Sequence, residues 1–90
     1  MGQLIYDPAN SVGADANTSL VANDVSIIQH ETVPGSTSFD IQGRLAAGAA
    51  WIKIGSTVAA AAPAAFVALG AIYKNVRIVR TGAGDFKVWA

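Results

Sequence analysis

The stretch Asn75-Val76-Arg77-Ile78-Val79-Arg80-Thr81-Gly82-Ala83-Gly84-Asp85-Phe86-Lys87-Val88-Trp89-Ala90 decides the fold class. Its first half alternates with a period of two: Val76, Ile78 and Arg80 point one way, Arg77, Val79 and Thr81 the other. Asp85-Phe86-Lys87-Val88 alternates again, polar against apolar, and Trp89 follows. Successive side chains of a strand leave opposite faces of the sheet, so this pattern is what a half-buried strand requires. Gly82-Ala83-Gly84, between the two runs, supplies backbone freedom for a tight reversal. The stretch reads as a terminal hairpin, and the chain as a β protein.

Upstream, residues 59–70 are harder to read. The alanines favour helix, and Pro63 could occupy a first helical position. The stretch has no polar face, however, which an exposed helix would need. A buried strand is the preferred reading, with Phe66, Ala68 and Gly70 against Val67 and Leu69. Before it, Trp51-Ile52-Lys53-Ile54-Gly55 reads as a strand, with Trp51 and Lys53 facing one way and Ile52 and Ile54 the other. Arg44 to Ala50 is too short and glycine-broken for a stable helix. Thr37, Phe39 and Ile41 alternate with Ser38, Asp40 and Gln42. With Pro34-Gly35 as a turn, residues 24–33 and 36–45 are expected to pair as an antiparallel hairpin. Ile27 and Ile28 are adjacent and both apolar, which suggests burial on both faces or a bulge. Residues 18–23 open this strand region. Leu4-Ile5-Tyr6 is an apolar triplet, and the small polar residues that follow it suit a loop or arm.

The expected architecture is an all-β domain, a small antiparallel β-sandwich or barrel of six to seven short strands over residues 18–90. An extended N-terminal arm covers residues 1–17. Turn signals about every eight to twelve residues support this class. No fixed-period repeat or inter-domain linker interrupts it.

Composition narrows function more than any motif does. Ninety residues make one domain, and a chain of that length buries only about 60–65% of its unfolded surface. With no cysteine, neither a disulfide nor a thiolate metal site can reinforce it. Six basic and six acidic residues balance, which argues against nucleic-acid binding by bulk charge. Only 13% of residues are charged, about half the usual share, and this suits a chain that works assembled. The most apolar run, residues 58–72, is broken by Pro63 and Gly70. It falls short of the ~20 apolar residues a membrane helix needs. Met1-Gly2-Gln3 lacks the pattern of a secretory leader.

No catalytic, cofactor or metal site is expected. His30 is the sole histidine, and its neighbour Glu31 would point to the opposite face of a strand. It reads as a surface or edge residue. Ser26, His30 and Asp40 could be imagined as a triad, but no nucleophile motif supports one. Gly82-Ala83-Gly84 precedes a strand rather than a helix, so it does not make a phosphate loop. Tyr6, Trp51, Tyr73, Arg77, Arg80 and Trp89 are the candidate interface residues. Arg77 and Arg80 lie on opposite faces, and one of them needs a partner such as Asp85 or a neighbouring subunit's carboxylate.

The Trp51-Ile52-Lys53-Ile54 strand, the Tyr73-Lys74-Asn75-Val76-Arg77 strand and the terminal Phe86–Trp89 strand together resemble small β-rich virion proteins of tailed bacteriophages. The likeness spans residues 39–90, with an unusually alanine-rich departure at residues 59–65. It implies a non-enzymatic virion protein, most simply a head decoration (cement) protein. That role implies a homo-oligomer, commonly a trimer, seated on a major capsid protein or another virion protein and located in the virion. A tail, collar or fibre-base component is an alternative, as is a carbohydrate-binding β module using Trp51 and Trp89. No membrane or nucleic-acid partner and no cofactor is implied.

Overall fold

The structure is a computed structural model that describes residues 2–32, 37–59 and 64–90. It is all-β, with no α-helix among those residues. The strands are β1 (Leu4–Tyr6), β2 (Ala22–Thr32), β3 (Ser38–Arg44), β4 (Ile52–Lys53), β5 (Val58–Ala59), β6 (Ala64–Arg80) and β7 (Phe86–Trp89). A single 3-10 turn, Pro8–Asn10, follows β1. The strands form one antiparallel sheet in the order β1-β7-β2-β6-β3-β4, with β5 also paired to β3, and the sheet does not close into a barrel. The Pro34-Gly35 turn and the alanine–proline stretch 60–63 lie outside the described residues.

The sheet is strongly curled. In a flat sheet β7 and β3 would lie three strand spacings, roughly 14 Å, apart. Instead Phe86 of β7 stacks on Phe39 of β3, with ring centroids 5.1 Å apart and planes 16° apart. Tyr6 of β1 closes on Phe86 at 4.9 Å. Ile5, Ile28, Ile41, Val76, Ile78 and Val88 fill the concave side. Thr37, Phe39 and Ile41 all face inward, as their alternation requires.

The central strand is β6. Its outer half pairs with β2 from Ala22↔Val76 to Glu31↔Ala64, and its last residues pair with β3 from Phe39↔Arg80 to Arg44↔Asn75. This arrangement corrects two expected hairpins. Strands β2 and β3 flank β6 rather than each other. β7 pairs with β1 and with Gln29–Thr32 of β2, so the glycine segment after β6 is a crossover past β2. The packing gives the reason: Phe86 fits between Tyr6 and Phe39, a site that strand pairing next to β6 would not reach. Gly82 is needed there for close approach. A Cβ on it would lie 2.7 Å from the Ser38 backbone nitrogen, while Thr81 and Gly82 both donate to the Ser38 carbonyl at 3.0 and 3.1 Å.

The N-terminal segment is part of the sheet and not a projecting arm. Ile5 and Tyr6 are buried. The Tyr6 hydroxyl donates to the Ala16 carbonyl at 2.7 Å. Arg80 donates its backbone N–H to the Asn17 carbonyl at 2.8 Å, and Ser19 donates to that of Ile78 at 2.9 Å. Small polar residues looked like an unattached segment because their ties are backbone ties, which leave no trace in hydrophobic pattern.

The bulge expected at Ile27-Ile28 is displaced: those two residues pair regularly with Ala68 and Val67, and the register shift lies just before them, between Val25 and Ile27, with its extra length in the partner strand. While β2 advances from Val25 to Ile27, β6 runs from Tyr73 to Ala68. Gly70, at φ +81°, and the exposed Ala71 and Ile72 form the looped-out part. Beyond it the inward set of β2 becomes Ile28 and His30, while Ile27 is half exposed. His30 is therefore buried, not a surface or edge residue. Its ring meets Phe39 edge-on at 5.5 Å, and burial lowers its pKa from the ordinary 6.5.

Candidate functional site

The most organised polar cluster lies on the convex side, over β3 and β6. Strand alternation points Asp40, Gln42 and Arg44 outward, because Phe39, Ile41 and Gly43 face in. The register sets Arg77 of β6 opposite Gln42, and Asn75 opposite Arg44. Trp51, arriving from the loop before β4, lies against both arginines. The guanidinium carbons sit 4.3 Å (Arg44) and 4.4 Å (Arg77) from its ring centroid. This is cation–π distance.

Each guanidinium is fixed through its Nε. Arg77 Nε donates to Gln42 Oε1 at 2.7 Å and Arg44 Nε to Asn75 Oδ1 at 2.8 Å. Asn75 is held in turn, donating to Asn23 Oδ1 at 2.7 Å. Both anchors are neutral amides, so neither arginine has its charge compensated. The carboxylates are engaged elsewhere: Asp40 with Thr57 and Lys53, Asp24 with Lys74, and Asp85 with Arg80. Glu31 accepts from Trp89, Asp7 from Asn10, and Asp15 from the Asn17 backbone.

A second feature adjoins this cluster. The β6 bulge and the loop after β3 enclose an apolar groove of about 820 Å³ lined by Leu45, Ala49, Ile52, Leu69, Ala71 and Tyr73, among others. Leu45, Ile52 and Ile72, in and beside it, are 74%, 67% and 69% exposed. The groove continues onto a free strand edge. Among the described residues, β3 pairs with β6 only from Asn75 to Arg80, so residues 64–73 have no partner on the side away from β2. That edge carries no charge.

The six expected interface residues do not gather in one place. Trp51 and Arg77 share the convex cluster. Tyr73 is partly buried in the groove wall, against the space left by Gly43. Tyr6 is in the core and offers nothing to a partner. Arg80 sits at the far end of β6, donating to the Gly82 carbonyl at 2.8 Å with Asp85 3.9 Å away, a partner expected for one of the two arginines. Trp89 is half-buried beside β2, its indole N–H donating to Glu31 at 3.2 Å. Arg44 was missed by the sequence reading. The signal for it was present, since extending the polar set Ser38, Asp40, Gln42 by one period reaches it.

The imagined triad does not assemble. His30 faces the core, while Ser26 is exposed and Asp40 is tied to Thr57 and Lys53 on the outer side. No group of three or more metal-binding side chains occurs among the described residues. No helix among them is long and apolar enough to cross a membrane. Comparison of the chain with protein-family models, with characterised proteins and with solved structures finds no match.

Proposed function

We propose that this protein is a non-enzymatic structural component that works assembled, specifically a virion protein of the tailed-bacteriophage kind. In this reading it is a head decoration protein that self-associates, a trimer being the favoured state, and stabilises a shell by binding the major capsid protein. The observation that carries the reading is the charge-free edge of β6 running into the groove beside Leu45, Ile52 and Ile72.

An unpaired, uncharged strand edge is a template for another strand, and soluble monomers normally block such edges with charge or proline. This edge has neither between residues 64 and 73. A second copy of the chain meets no like-charge repulsion there. Fully burying one large aliphatic side chain is worth about 1.5–3 kcal/mol. Three of them, with strand hydrogen bonds, can offset association costs of roughly 4–15 kcal/mol only if the contact extends along the edge as well as the groove.

Sedimentation velocity at tens of micromolar protein tests the self-association. The expected result is an oligomer that Ile72→Asp and Leu45→Asp each shift towards monomer, with the far-UV spectrum unchanged. A strictly monomeric native protein would refute it. Immunoblotting of density-purified phage particles tests the location: the protein should co-purify with heads, and its absence from every particle fraction would refute a virion role.

A further inference from the structure

We propose that Arg44, Trp51 and Arg77 form a carboxylate-binding site, and that it takes an Asp or Glu side chain from an acidic segment of a partner protein. Two guanidiniums are placed against one indole, and no carboxylate among the described residues pairs with either. That arrangement sets like charges close together and has no internal compensation, because each Asp and Glu side chain is engaged elsewhere. It is nevertheless tightly built. Each Nε is anchored on a neutral amide, which fixes the guanidinium plane and leaves its terminal N–H groups without any protein acceptor among the described residues. A planar fork with free terminal donors matches the two oxygens of a carboxylate. The indole face, within cation–π reach of both guanidiniums, offsets part of their mutual repulsion.

The rest of the surface favours a carboxylate on a protein over a nucleic-acid phosphate. Lys53 and Lys74 have acidic neighbours at 3.6 and 3.8 Å, so no basic track leads away from the pair. Nucleic-acid binding needs such a track, since its affinity comes from many phosphates together. Two arginines in a neutral chain make a point of attachment. The inference is independent of self-association through β6, because the cluster is complete within one chain.

The test is an NMR titration of native protein labelled with nitrogen-15, following the Arg Nε–H and Trp indole signals. The probe is an acetylated hexaglutamate peptide, with inorganic phosphate and a 12-nucleotide single-stranded DNA as parallel arms. The expected result is saturable shifts at Arg44, Arg77 and Trp51 but not at Trp89. Arg44→Gln and Arg77→Gln should each weaken the peptide at least tenfold. Binding should fade below about pH 4 as the peptide carboxylates protonate. The two variants are read separately, and the native titration decides even if both unfold. Absence of saturable shifts at millimolar peptide overturns the proposal. So does phosphate or DNA binding as tightly as the peptide, or peptide binding unchanged in a folded variant.

Discussion

Replacing Ser19 with alanine should destabilise the protein well beyond what the loss of a single hydroxyl suggests. Ser19 is fully buried. Its Oγ accepts the backbone N–H of Ile78 at 2.7 Å and donates to the Leu20 carbonyl at 2.8 Å, so a side chain fills a gap in the strand ladder. In Ser19→Ala the Ile78 N–H loses its acceptor at a site no water reaches. Leaving a buried donor unsatisfied costs about 1–3 kcal/mol, against ~1 for an average exchanged hydrogen bond. A domain of this size has on the order of 5–10 kcal/mol of total stability. With a urea m-value of about 1–1.5 kcal/mol/M, the midpoint should fall by roughly 0.7–3 M. Urea denaturation followed by tryptophan fluorescence measures it, and hydrogen exchange should show the Ile78 amide losing most protection. A midpoint within about 0.2 M of the native value would mean that Ser19 does not hold the N-terminal segment in place.

Three further outcomes follow from the same packing. Burial keeps the His30 pKa below 6.5, so the unfolded chain takes up the proton first: stability is intact above about pH 6.5 and is lost as pH falls below it. The urea midpoint should therefore drop between pH 7.5 and pH 5.5, and His30→Gln should flatten that slope; an unchanged slope contradicts the buried neutral ring. Gly82→Ala places a Cβ 2.7 Å from the Ser38 nitrogen, a backbone atom that cannot swing aside, and should cost about 1–3 kcal/mol in chemical denaturation. Tyr6→Phe removes only the bond to the Ala16 carbonyl and should cost about 0.5–1.5 kcal/mol; a larger loss would show that the hydroxyl organises the whole 7–17 loop.

Strand identity was legible in this sequence, and strand neighbourhood was not. Alternation correctly set Phe39 and Ile41 on one face and Arg77 and Arg80 on opposite faces; residues 64–70 read as a strand for want of a polar face, but not the buried one expected, since Phe66 is exposed beside the unpaired edge. Two-residue periodicity is a local property of the backbone and survives any topology. Pairing is settled by packing between distant residues, here Tyr6, Phe39 and Phe86, and no local pattern records it. His30 shows how the two interact. Its orientation depends on the register change opposite Gly70–Ile72, which lies on another strand, so its burial could not be read from its own neighbourhood. The convex cluster was half visible for the same reason. Trp51 and Arg77 stood out singly, but only the β3–β6 register brings Arg44 and Asn75 beside them.

The pairing of β1 with β7 has a consequence for how the molecule is made. Gln3 and Ala90 exchange both backbone hydrogen bonds, at 2.8 and 2.9 Å, and Leu4 sits opposite Trp89. β1 thus waits for β7, which is translated long after it. Until Phe86 emerges, Tyr6 and Phe39 lack the ring that joins them, and the Gln29–Thr32 edge of β2 stands open. At about 5–20 residues per second a ribosome needs several seconds to deliver that partner. Closing so long a loop adds little entropy cost, since the penalty grows only with the logarithm of length. The delay is one of timing. For those seconds the nascent chain carries two open strand edges, the polar one at Gln29–Thr32 and the uncharged one on β6, and a crowded polysome translating this message is where premature association between copies should be sought.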